Sequence, residues 1–157
     1  MIKKTLFYLN ATLLILIAAI TASCDDDDEK RIEFGDLPQT ARQFIKNHFN
    51  GIEISSVVRD KDDGRISYDV RLSDGTEIDF NENGDWESID CMFSTLPEGI
   101  LPQSINNDLS TRYPGARIHG ADRKPGGYVV ELNKADGIPL DVLYSETGEY
   151  IGEQIDY

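Results

Sequence analysis

The sequence predicts an α+β fold, a tandem duplication of a unit made of one helix followed by a four-stranded antiparallel sheet. Three observations predict it. The pattern Leu37-Pro38-Gln39-Thr40 returns as Leu101-Pro102-Gln103-Ser104, and correspondences continue in register: Tyr68-Asp69-Val70-Arg71-Leu72 with Tyr128-Val129-Val130-Glu131-Leu132, then Gly84-Asp85-Trp86 with Gly148-Glu149-Tyr150. Behind each Leu-Pro, apolar residues recur at helical spacing. Behind each helix they alternate with polar ones, broken by an Asp-Gly pair and then by a second glycine, Asn83-Gly84 in the first stretch and Thr147-Gly148 in the second. Self-similarity at a period of about 60 residues marks a repeated structural unit.

The elements follow in chain order. Residues 1–23 carry two lysines, an apolar run from Leu6 to Ile20, and small residues before Cys24. This is the pattern of an export signal with a lipid-accepting cysteine at the cut. Cys24 is therefore the expected lipidation site. Several acyl chains at about 0.8 kcal/mol per buried methylene would hold the chain at a membrane. Asn10 and Thr12 break the apolar run early, which argues against a spanning helix of about 20 apolar residues. Residues 24–36 open with four aspartates and Glu29 and read as an acidic tether, since like charge repels itself and keeps a segment open. Two readings of those aspartates stay open: a tag for export to the cell surface, or a solvated spacer.

The first expected unit spans 37–95. Proline suits the first helical position because its missing N–H has no helical partner there. Ala41, Phe44, Ile45, His48 and Phe49 then form one apolar stripe, on which His48 reads as a packed residue. Ile66, Tyr68, Val70 and Leu72 alternate with Arg65, Ser67, Asp69 and Arg71, the pattern of a half-buried antiparallel strand. Asp74-Gly75 and Asn83-Gly84 supply tight reversals, because glycine reaches the positive φ that hairpin turns demand. The second unit, 96–157, repeats the scheme with Ile105, Leu109 and Tyr113 on its helix and Tyr128, Val130, Leu132, Leu140, Val142 and Tyr144 on its strands.

Charge narrows the functions. The chain of 157 residues carries a formal charge of −14, and loss of Lys3 and Lys4 with the leader would take it to −16. Such a chain repels nucleic acid, which is not an expected partner. With Cys24 acylated, Cys91 has no disulfide partner and reads as a buried small hydrophobe.

Chemistry is harder to find. Asp79-Phe80-Asn81-Glu82-Asn83-Gly84 matches the opening of a calcium loop, with Asp79, Asn81, Asn83 and Asp90 as candidate oxygen ligands. Strand-like flanks and an aspartate at the twelfth position argue for a plain hairpin turn, and no metal or other cofactor is expected. The chain has no Gly-x-Ser-x-Gly elbow, no Cys-x-x-Cys and no His-Glu-x-x-His, so an enzyme is not expected. What remains is a surface. Arg65, Asp69, Arg71 and Glu77, with Val129, Glu131 and Leu143, fall opposite the apolar alternation and are the candidate partner-binding residues. Trp86 and Tyr150 are either anchors of that surface or, the favoured reading, fillers of equivalent core slots.

Leu-Pro, helix, Tyr-x-Val-x-Leu, Asp-Gly, aliphatic-Asp-aromatic and Gly-x-Trp together resemble the PepSY-like, β-lactamase-inhibitor-like lipoproteins of Gram-negative bacteria, over about residues 37–156. The resemblance implies the tandem helix-plus-four-strand duplication and a sheet surface that grips an enzyme, as in the β-lactamase inhibitory protein. It also implies a restraint on peptidases, proposed for PepSY-type domains in general. The expectation is a non-catalytic binding module, an inhibitor or sensor of another envelope protein. It would be an outer-membrane lipoprotein, anchored through Cys24 on the periplasmic face or the cell surface. The alternative is a small-ligand or calcium-binding surface lipoprotein.

Overall fold

The computed structural model describes residues 29–154, so the leader, Cys24 and the aspartates behind it lie outside the described residues. The chain forms β1 (Lys30–Arg31), a 3-10 turn (Phe34–Asp36), α1 (Gln39–His48), β2 (Ile54–Asp62), β3 (Arg65–Leu72), β4 (Glu77–Asn81) and β5 (Trp86–Asp90). It continues with α2 (Gln103–Arg112), β6 (Arg117–Lys124), β7 (Gly127–Asn133), β8 (Pro139–Ser145) and β9 (Tyr150–Gln154).

The strands do not form two four-stranded sheets. They make one nine-stranded sheet in simple chain order, every neighbour antiparallel, with two short helices against it. The expected tandem duplication of a helix plus a four-stranded antiparallel sheet is thereby overturned. The decisive pairing is β5 with β6, where Ser88, Ile89 and Asp90 face Asp122, Ala121 and Gly120. Two separate sheets would each leave an additional row of unpaired backbone N–H and C=O groups at an edge. Joining β5 to β6 satisfies both rows at once. The connecting segment locks onto the same place, for Cys91 N–H donates to the His119 carbonyl (2.7 Å) and Leu96 N–H to that of Ile118 (2.9 Å). The segment expected as a tether also contributes structure, since β1 pairs with β2 through Lys30↔Arg59 and Arg31↔Val58.

One face of this sheet is the core. Val57, Val70, Ile78, Ile89, Ala121, Val130 and Val142 stand opposite one another across seven strands, each at most 4% exposed. The helices cover this row, with Ala41, Ile45, Ile105 and Leu109 buried in the same cluster. Phe44 of α1 meets the edge of Phe80, with ring centres 5.8 Å apart, and Tyr144 O–H donates to Asp108 of α2 (2.8 Å). Pro38 and Pro102 stand at the cap positions, one residue before each helix, with extended backbone.

Each helix start rests on a hairpin turn. Gly84, at φ +82°, lies so close to α1 that a Cβ there would stand 2.8 Å from the Ala41 nitrogen and from the Pro38 Cβ. Gly148, also at φ +82°, is in the same relation to Ser104 and Ile105 of α2. Glycine is required at both turns for the dihedral and for the close approach.

Candidate functional site: the uncovered sheet face

Because side chains alternate along a strand, burying one face by both helices leaves the other, among the described residues, without a covering layer. One row of directly opposed residues on that face runs Arg31, Val58, Asp69, Asp79, Ser88, Asp122, Val129, Leu143, Gly152. The adjacent row runs Ser56, Arg71, Glu77, Asp90, Gly120, Glu131, Asp141, Gln154. Asp69, Arg71, Glu77, Val129, Glu131 and Leu143 thus lie on one surface. Arg65 shares it at the far end of β3, facing Asp62.

The face is divided. Its β3–β6 part is acidic. Asp69 and Asp79 are direct neighbours across the β3–β4 pair, an arrangement of like charges that destabilises a sheet. Burial, and then the carboxylates of Asp69, Glu77, Asp122 and Glu87, push Asp79 up to about 6. Burial and then Asp60, Glu29 and Glu77 raise Asp69 as well. Two of the nearby cations are engaged by other carboxylates: Arg71 Nη2 lies 2.6 Å from Glu77 Oε1, and Lys124 Nζ lies 3.0 Å from Asp122 Oδ2, whereas Arg31 stands two strands from Asp69 in the row. Among the described residues, neither Asp69 nor Asp79 makes an ion pair. A hollow of about 260 Å³ opens over the two carboxylates, walled by Glu29, Arg31, Ser56, Val58, Arg71 and Glu77.

The β7–β8 part is apolar at its centre, where Val129 faces Leu143, both half-buried. Polar groups at its margins are satisfied locally. Gln154 Nε2 donates to Asp141 Oδ2 (3.1 Å), and Glu131 approaches His119 at 3.9 Å. The Glu131 carboxylate fills the space above Gly120, where any Cβ would collide with it. Chemically, this surface offers charge and apolar contact. Cys91 is fully buried on the other side, its thiol pushed up to about 11 by that burial, and so unreactive as a thiolate.

Of the calcium-loop candidates, Asp79 and Asp90 stand in adjacent rows of the open surface, Asp79 facing Asp69 and Asp90 facing Glu77, and Asp90 accepts a hydrogen bond from the Met92 N–H (2.7 Å). Asn81 Oδ1 accepts from the backbone N–H groups of Asn83 (2.9 Å) and Asp85 (3.1 Å), which commits it to holding the turn. The β8–β9 turn does the same with a hydroxyl, Ser145 Oγ accepting from Glu149 N–H (3.1 Å). Among the described residues, no three His, Cys, Asp or Glu side chains converge as a metal-binding group. Trp86 is a core residue, 5% exposed, with the Arg123 guanidinium 4.4 Å from its ring centre. Tyr150 sits on the helix side, 36% exposed, under the Arg112 guanidinium at 3.7 Å.

Asp79 was legible only as a metal candidate, and Asp122 and Arg31 were not legible as site residues at all. Asp122 joins the acidic patch through the β5–β6 pairing, and Arg31 through β1. Neither pairing has a local signal in the chain.

The sequence profile described as "Putative beta-lactamase-inhibitor-like, PepSY-like" matches residues 66–151, more than half of the chain. The chain belongs to this PepSY-like family. Solved structures agree with the assignment. A DUF2874-family protein from Bacteroides vulgatus, named in its description as periplasmic, is 29% identical; the alignment covers 82% of this chain and 98% of that one, with a TM-score of 0.75. A second B. vulgatus protein, described as periplasmic and of unknown function, is 30% identical over 80% and 98% of the two chains, with a TM-score of 0.73. A protein from Bacteroides thetaiotaomicron, described as calcium-regulated and periplasmic, is 28% identical over 81% and 97%, with a TM-score of 0.75. No curated protein matches the chain. Among the described residues, no helix of this PepSY-like chain is long and apolar enough to cross a membrane.

Proposed function

We propose that this PepSY-like protein is a lipid-anchored, non-catalytic binding module of the bacterial cell envelope, which inhibits or senses another envelope protein through its uncovered sheet face. The observation that carries the reading is the asymmetry of the sheet: both helices pack on one side, and the other side presents charged and apolar residues with no layer over them among the described residues. The relatives' descriptions as periplasmic fit an envelope address, and the Lys-rich start, apolar run and Cys24 fit a lipid anchor. Open faces with apolar patches among charges are the kind of surface that receives a protein.

Two experiments test this reading. Cys24→Ala should move the protein from the membrane fraction to the soluble fraction; a variant that stays lipidated and membrane-bound removes the anchor. Full-length protein in neutral detergent should retain one envelope protein at near-equal stoichiometry. Val129→Asp with Leu143→Asp, on the uncovered face, should abolish that retention; undiminished retention removes the face.

The B. thetaiotaomicron relative's description favours a second reading, in which calcium binds. A ligand that binds only the native state raises the melting temperature by mass action. A calcium-dependent, magnesium-insensitive rise in Tm would place the second reading ahead of the first.

A further inference from the structure

We infer that the partner presents a lysine- or arginine-bearing segment to the uncovered face, its cationic side chain seated between Asp69 and Asp79 and its apolar side chains over Val129 and Leu143. This rests on the binding-module reading and adds the chemistry of the partner. Charge complementarity carries it. The two aspartates are directly opposed in the sheet, lie in one hollow and make no ion pair; Arg71 and Lys124 are held by other carboxylates, and Arg31, on the wall of the hollow, is set against Glu29, Glu77 and both aspartates there. Each carboxylate is held above its ordinary range by burial first and by like charge second, so a seated cation would relieve a repulsion that folding leaves in place. Glu29 on the rim adds to a field that repels acidic partners and steers basic ones.

The apolar end fixes the partner's length. From β3 to β8 is five strand steps of about 4.8 Å, so Asp69 and Leu143 lie roughly 24 Å apart across the sheet. An extended segment rising about 3.3 Å per residue needs about eight residues to span that distance. A free cation would use the acidic end and leave Val129 and Leu143 uncovered; a basic peptide segment uses both.

The test uses full-length protein in neutral detergent and a decalysine peptide as the probe, with decaglutamate as control. Asp69→Asn with Asp79→Asn should weaken decalysine binding about tenfold or more at low salt. A charge-matched pair on the β8–β9 turn and β9 side, Glu146→Gln with Glu149→Gln, should weaken it less than about twofold. Equal losses in the two variants would mean that only overall acidity attracts the peptide, and would overturn the proposal. So would undiminished binding by the aspartate variant. Calcium binding that vanishes in the aspartate variant and is not displaced by decalysine would assign the hollow to a metal ion, and would also overturn it. Removing like charge should stabilise the aspartate variant, so misfolding does not confuse the result. If the envelope partner is still retained by that variant but lost on Val129→Asp with Leu143→Asp, the lysine inference fails while the face stands. If neither variant affects retention, the face itself fails.

Discussion

The two halves of the sheet, β2–β5 and β6–β9, are nearly alike on the covered face and differ on the open one. Under the helices, Ile78, Phe80 and Gly84 stand where Val142, Tyr144 and Gly148 stand in the other half, each fully or almost fully buried. The turns that end them are built alike: Gly84 N–H donates to the Asn81 carbonyl and Gly148 N–H to that of Ser145, both at 2.9 Å. On the open face the matching cross-strand pairs are Asp69–Asp79 and Val129–Leu143. A packed core constrains volume and shape, so its residues change little between halves. A face open to solvent tolerates charge in one half and aliphatic carbon in the other. The difference is what the proposed binding face rests on.

The comparison breaks or sharpens under substitution. The largest effects belong to the core: Phe80→Ala and Tyr144→Ala should each cost about 3–5 kcal/mol by urea denaturation, since each empties a site within 1% of complete burial. A cost confined to one of them would show that the halves are not equally packed. Next come the turn glycines. Gly84→Ala should cost about 3 kcal/mol, because its Cβ meets the α1 backbone as well as a forbidding φ. Gly148→Ala should cost about 1 kcal/mol less, because part of its obstruction is the Ser104 hydroxyl, which can rotate away.

Smaller and opposite in sign is Asp79→Asn. The folded-state pKa of Asp79 is raised from 3.8 to about 6, so between those values the native state holds a proton that the unfolded state has lost. Stability through this group is therefore present at pH 4 and declines as pH rises through 6. Asn in its place should stabilise the protein by about 1–2 kcal/mol at pH 7.5, after allowance for solvent screening, and by much less at pH 4.5. Thermal melts at the two pH values check this, and a stabilisation independent of pH would remove the account of a carboxylate raised by burial and then by like charge. Leu143→Asn, at the matching place in the other half, should show no such pH dependence.

The smallest effects concern the turn acceptors. Asn81→Ala and Ser145→Ala each remove an oxygen that accepts backbone N–H groups, and each should cost about 1 kcal/mol. The cost at Asn81 should be the same with and without calcium. A cost that grows in calcium would return Asn81 to a metal shell.

The local order of the chain was legible from its residues alone. Period-two alternation assigned Arg65, Asp69, Arg71, Glu77, Val129, Glu131 and Leu143 to one face, and periods of three and four placed the two short helices. Both rest on geometry within a single element, where covalent connection fixes which side chains share a side. Glycine at Asp74-Gly75 and Asn83-Gly84 marked the reversals for the same local reason, the positive φ that other residues resist. Only the tertiary structure decided which strands are neighbours. Pairing runs through backbone N–H and C=O groups that every non-proline residue carries, so no side-chain pattern announces that β5 joins β6. That one pairing turned two expected sheets into a single sheet of nine strands. It also carried Asp122 to the acidic row that Asp69 and Asp79 begin, and set Val129 and Leu143 on the same open surface.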